Sequence, residues 1–226
     1  MRKGWLFRKS IDTTDARSLS TVLRGRRFQL FQRLFDSTPK PVRILDVGGT
    51  PEFWEMMGFS ERTDAEITLL NLVELKRSSR RFTYIVGDAR NLGMFSDYQF
   101  DVVFSNSVIE HVGGYLDQRK MVDEVKRVGK RYFVQTPNKH FPIEPHFFFP
   151  FFQFLPISVR AWLLNHVDLR WHKRMPNYQE AKREVEAVRL LTEDEFMRLF
   201  PEAVLYKERL LGLTKSMTAY HGWDVV

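Results

Sequence analysis

Cysteine is absent from the 226-residue chain. That absence excludes disulfides, thiolate metal sites and a cysteine nucleophile. No run approaches the roughly 20 apolar residues needed to span a bilayer. The densest stretch, residues 147–155, is short and carries Pro150 and Gln153. The N-terminus, Met1-Arg2-Lys3-Gly4-Trp5, is basic but lacks the apolar segment and cleavage site of a signal peptide. A cytoplasmic protein is expected, with contact at a membrane surface left open. Internal repeats and low-complexity blocks are missing too. The dinucleotide fingerprint G-x-G-x-x-G also fails, because Thr50 and Phe53 stand where its later glycines belong. What is present is ordinary globular composition, 43% apolar and 28% charged. A net charge of +7 favours anionic partners without choosing among them.

Residues 1–17 show no periodicity and read as a loose arm. Helical spacing follows over 18–35, capped by Ser18 or Ser20 and ended by Ser37-Thr38-Pro39-Lys40-Pro41. Short apolar runs then recur at 42–47, 67–73, 82–86, 100–104 and 132–135, with a helical pattern over 116–128. Such alternation predicts a parallel sheet covered by helices on both faces. Residues 139–190 break the rhythm as an insertion, where the aromatics concentrate. Thr192 and Glu195 form a capping box for a last helix, which stops at Pro201. Two closing strands, 203–206 and 215–220, are joined closely enough through Leu211-Gly212 for an antiparallel hairpin.

Chemistry gathers at the strand ends. Asp46-Val47-Gly48-Gly49-Thr50 puts a glycine turn after the first strand, where open α/β sheets bind ligands and glycine lets backbone approach them. Asn71 and Glu74 close the second strand, Asp88 the third, and Ser105-Asn106-Ser107 the fourth. Asp101 sits inside a strand pattern and reads as a structural acid.

In order and spacing, Ile44-Leu45-Asp46-Val47-Gly48-Gly49, Val86-Gly87-Asp88-Ala89 and the segment from Phe100 to His111 resemble the successive motifs of class I S-adenosylmethionine-dependent methyltransferases, nearest to the type 11 family. The likeness runs over residues 42–220. It implies a Rossmann-like, seven-stranded α/β sheet, mostly parallel, with an antiparallel C-terminal hairpin and an aromatic-rich helical insertion. It divides the single domain into an N-terminal arm and helix (1–40), a cofactor-binding core (41–138), the insertion or lid (139–190) and a C-terminal helix and hairpin (191–226). It implies S-adenosylmethionine as cofactor. Gly48 and Gly49 would pack under the methionine moiety, and Asp46 would help hold its amino group. Asn71 or Glu74 would grip the ribose. Asp88 and Ala89 would contact adenine, and Ser105 and Asn106 would line the pocket near the sulfonium. Thr50 and Glu52 depart from the family, replacing later glycines of its first motif.

A base is needed only if the acceptor must lose a proton. His111, after the fourth strand, and His146, in the proline-bracketed stretch from Thr136 to His146, are the candidates, with Asn138, His140 and Glu144 close by in sequence. His140-x3-Glu144-x-His146 is not a recognised zinc pattern, so no metal is expected. The aromatic insertion reads as a packed cap, a lid over the acceptor, or a membrane-surface patch suited to a lipid-linked acceptor. A small-molecule or glycan acceptor leads. The alternatives are an RNA-directed methyltransferase and a non-catalytic binding module. Nucleic acid is disfavoured, because basic residues spread over the chain rather than forming a stripe.

Overall fold

A computed structural model describes residues 19–75, 79–169 and 173–223. Ser18 with the rest of the expected arm, and Arg170 and Trp171 of the insertion, lie outside the described residues; Ser20 falls within α1 rather than at its cap. The elements follow as α1 (Leu19–Asp36), β1 (Val42–Val47), α2 (Pro51–Met56), β2 (Ala65–Asn71), β3 (Phe82–Val86), β4 (Val102–Asn106), α3 (Tyr115–Val128) and β5 (Tyr132–Pro137). The insertion contributes β6 (Ile143–Glu144), β7 (Phe149–Pro150), α4 (Ile157–His166) and α5 (Tyr178–Glu186). Then come α6 (Glu193–Leu199), β8 (Val204–Leu210) and β9 (Leu213–His221).

Seven strands form one sheet in the order β3-β2-β1-β4-β5-β9-β8. β1 pairs in parallel with both β2 and β4, and β9 runs antiparallel to β5 and β8. The chain therefore adds strands outward on one side of β1 and then switches to the other. That switch opens a crevice at the strand carboxyl ends. The closing hairpin turns through Leu211 (φ 51°) and Gly212 (φ 81°), the two positive φ values that match strand twist in a two-residue turn.

Side chains alternate along the central strands and feed two layers. Leu45, Val47, Val103 and Val134 pack with Met121, Val122 and Val125 of α3 and with Phe196 and Leu199 of α6. Ile44, Val102, Phe104 and Phe133 face α1 and α2 on the other side. This second layer corrects the expectation that aromatics concentrate in the insertion. Phe28, Phe31, Phe35, Trp54, Phe59, Phe104 and Phe133 form one buried cluster. They are scattered in sequence because each is delivered by a different helix turn or strand. β2 also starts and stops two residues earlier than expected. Its ladder with β1 ends at Leu70, which leaves Leu72 and Val73 exposed beyond it. The insertion has a small core of its own around Phe147, Phe152, Leu164, Ala181 and Val185. Phe148, Phe151, Phe154 and Trp162 remain outside it, exposed. No described helix is long and apolar enough to cross a membrane.

Phe31 is fully buried and packs edge to face against Phe104 and Phe133, with ring centroids 4.9 and 5.4 Å away. Phe31→Ala is expected to lower unfolding free energy by about 3–5 kcal/mol. Phe154→Ala, on the surface, should change it by less than ~1 kcal/mol. Urea denaturation followed by far-UV circular dichroism measures both.

Candidate functional site

The turn after β1 is built around Asp46. Its carboxylate is almost fully buried and accepts a hydrogen bond from Trp54 Nε1 at 2.7 Å. Gly49 lies directly over it. A Cβ there would stand 1.6 Å from Asp46 Oδ2, so only glycine fits. Gly48 has φ +75° and donates its N–H to Leu70 O at 2.7 Å. Asn71 Nδ2 donates to Gly49 O at 2.9 Å, tying the end of β2 to the same turn. Asp46 and Asn71 thus act on the loop, and the surface they offer a ligand is the Gly48-Gly49 backbone. Burial pushes the Asp46 carboxyl up to about 7, against the opposing pull of the Trp54 hydrogen bond. Thr50 and Glu52, the two departures from the expected glycines, begin a helix. Thr50 is its extended N-cap residue, Pro51 opens the first turn, and Glu52 sits where the helix dipole favours an acid.

Along the rim, Glu74 is exposed beyond β2. Asp88 is partly exposed after β3, and Arg90 grips it with Nε and Nη2 at 2.9 and 2.6 Å. These bonds hold the Asp88 carboxyl below its ordinary range, so it stays an ionised acceptor. Ala89 is buried in the core beneath. Leu72 and Met94 are exposed beside Asp88's strand ends, with the Met94 methyl close against Gly87. Ser105 is fully buried and donates to Val47 O at 3.4 Å. Asn106 Oδ1 accepts from Arg27 Nη2 at 3.0 Å.

Arg27 is a residue that sequence reasoning passed over. It is buried on α1 and also donates to Glu208 Oε2 (3.0 Å) and Ser216 Oγ (3.3 Å) of the closing hairpin. Burial lowers its guanidinium pKa despite Glu208. On a helix rich in arginines, nothing in the sequence marked this one as facing inward.

His111 and His146, far apart in the chain, meet. Their rings stand edge to face at 4.8 Å. Both present Nε2 toward Glu110 Oε1, at 3.8 Å from His111 and 3.9 Å from His146. Glu110 is fully buried and was not among the expected site residues, although it adjoins His111 in sequence. Its Oε2 accepts from Thr136 Oγ1 at 3.1 Å. Glu144 Oε1 lies 2.5 Å from His146 Nδ1, and Glu144 Oε2 accepts the backbone N–H groups of His146 and Phe147. Asp101 is structural, as expected: it accepts from Arg43 and Lys130.

The cluster adjoins the glycine turn. A Cβ on Gly48 would strike Val108, two residues before Glu110. On its other side, Glu144 also lines a cavity of about 120 Å3 with Lys139, Phe147, Phe152, Arg160 and Arg189.

Residues 54–132 match the family described as a methyltransferase domain. No curated protein sequence matches. Among solved structures, a S-adenosylmethionine-dependent methyltransferase from Aquifex aeolicus is similar over 95% of each chain, at 12% identity and TM-score 0.51. The CurJ carbon methyltransferase matches 90% of this chain and 57% of its own, at 11% identity and TM-score 0.55. SpnF, a cyclase, matches 87% of this chain and 64% of its own, at 13% identity and TM-score 0.53. At these identities the likeness carries the fold alone.

The Asp46 carboxyl titrates near 7 when folded and at about 3.9 when unfolded. The native state therefore holds the extra proton between those values, and stability falls as pH rises from 4 to 7. Asp46→Asn keeps an acceptor for Trp54 and removes the charge. The variant is expected to flatten that fall by up to ~4 kcal/mol, read from chemical denaturation at pH 4, 5.5, 7 and 8.

Proposed function

We propose that this chain is a class I, S-adenosylmethionine-dependent methyltransferase of the type 11 family, and that it methylates a small-molecule, sugar or lipid-linked glycan acceptor beside the Glu110–His111–His146 cluster. The observation that carries the reading is adjacency. The glycine turn and the paired histidines share one wall, through Val108.

The residues present fit the cofactor. The Gly48-Gly49 turn follows β1 at the strand carboxyl ends, where open α/β sheets bind ligands, and it is held there by the close packing of Val108 and Asp46 against its two glycines. Asp88 offers an ionised acceptor for the adenine amine, and exposed Leu72 and Met94 offer apolar surface for the ring faces. Ser105 and Asn106 end the strand between this surface and the cluster. Ala89 supports the adenine side from the core, and exposed Glu74, just beyond β2, offers a carboxylate for the ribose. When bound, S-adenosylmethionine supplies a methyl group already activated for in-line displacement. The chain's work is then to align the acceptor and exclude water. A hydroxyl acceptor sheds its proton at the cluster, where His111 and His146 direct their Nε2 atoms.

The cavity beside Glu144 favours an acceptor with an acidic group, since Lys139, Arg160 and Arg189 line it. Exposed Phe148, Phe151, Phe154 and Trp162 on the same insertion support the lipid-linked form of that acceptor and peripheral contact with a membrane.

Titration calorimetry with S-adenosylhomocysteine tests the cofactor site. Wild type is expected to bind one equivalent, and Asp88→Ala to bind about tenfold more weakly, ~1.4 kcal/mol. No heat at millimolar ligand would sink the proposal. Sedimentation with anionic phospholipid vesicles tests the surface contact: Phe151→Ser with Trp162→Ser should release the protein from vesicles that retain wild type.

A further inference from the structure

We propose that Glu110, His111 and His146 form a binding site for one divalent transition-metal ion, with zinc as its leading occupant. This goes beyond the methyl-transfer reading and rests on side-chain geometry alone; metal and proton compete for the same Nε2 lone pairs, so the two imidazoles serve as base only in the metal-free protein. Each of Glu110, His111 and His146 offers one ligand-type atom, and the three lie within 4.8 Å of one another. The carboxylate oxygen stands 3.8 and 3.9 Å from the two imidazole nitrogens. These separations are too long for hydrogen bonds. Tetrahedral bonds of about 2.0–2.1 Å put paired ligand atoms ~3.4 Å apart. Holding one ion therefore requires both rings to turn inward, by about 0.5 Å toward Glu110 Oε1.

The surrounding contacts are those that a metal site uses. Glu144 Oε1 binds His146 Nδ1 at 2.5 Å, a carboxylate–histidine arrangement that keeps the proton on Nδ1 and turns the Nε2 lone pair toward Glu110. Thr136 Oγ1 donates to the other Glu110 oxygen at 3.1 Å, which leaves Oε1 directed at the histidines. Glu110 is fully buried and both imidazoles are 7% exposed, so an ion would sit in a largely dry setting. Nitrogen and oxygen donors without sulfur exclude the thiolate class and suit zinc, cobalt, manganese or iron. Three protein ligands leave a fourth position for an outside oxygen, as in catalytic rather than structural zinc sites. No local sequence pattern marks the trio, because His146 belongs to the insertion whereas Glu110 and His111 come from the turn after β4.

The test uses tag-free full-length protein stripped with chelator and titrated with cobalt(II). Wild type is expected to bind one equivalent with visible d–d absorption that zinc(II) displaces. His111→Ala and His146→Ala should abolish the band, and Glu144→Gln should weaken binding about 10–100-fold. Far-UV circular dichroism and S-adenosylhomocysteine calorimetry on each variant report folding and the cofactor site separately. Loss of cofactor binding alone would fault the methyltransferase reading and leave the metal site standing. Should a histidine variant unfold, X-ray absorption on zinc-loaded wild type decides, with two imidazoles expected around the ion. No cobalt band at millimolar metal, equal binding by folded histidine variants, or a zinc shell without imidazole would overturn the proposal.

Discussion

A buried carboxylate under a glycine holds the turn from which the site is built. Leaving Asp46 in the interior costs free energy, and the Trp54 indole offsets part of that cost. The same indole packs against Phe28, Phe31, Phe59 and Phe104. The loop is therefore fastened to the aromatic layer under the sheet, and packing there sets the height of Gly49 above the strand ends. Asn71 fastens the loop from the side, and Leu70 O receives the Gly48 amide. The backbone presented to a ligand is stiff because three neighbours each fix one part of it.

A second buried connection closes the other flank. Arg27 joins α1 to β4 through Asn106 and to the closing hairpin through Glu208 and Ser216. Removing one member of such a buried pair leaves a stranded charge, which costs far more than the pair contributes. Its effect here is on placement: the first helix, the fourth strand and the last two strands converge on one guanidinium. The Asn106 side chain is held in that network, at the edge of the proposed cofactor surface.

The insertion acts on the site through its first few residues. The β6–β7 hairpin carries Glu144 and His146 over the turn after β4, and Phe147 and Phe152 anchor that hairpin in the insertion's own core. Arg189, from the segment leaving the insertion, donates its amide to Glu110 O at 2.8 Å. Both ends of the insertion thereby grip the Ile109–His111 turn. A segment that looks like an aromatic lid in the sequence is also the scaffold of the histidine cluster.

The alternation of strands and helices, the glycine turn, the capping box and the closing hairpin were legible because each rests on local chemistry: a period of two, a positive φ, a side chain bonding three residues on. So was the structural role of Asp101, which lies just before β4, at the end of the strand away from the carboxyl rim. Asp46 and Asn71 were legible as important but not in their orientation, since burial beneath Gly49 depends on where Trp54 arrives from α2. Arg27 and Glu110 were illegible, because inward-facing charge looks like any other charge until its partners are known. Local backbone preferences and apolar periodicity sufficed to locate each strand, though not its end residue: β2 stops at Asn71 and β4 at Asn106. Only the tertiary structure decided that Glu110, His111 and His146 share one buried point, because that meeting depends on an insertion folding back across the sheet, a long-range contact that no local pattern encodes.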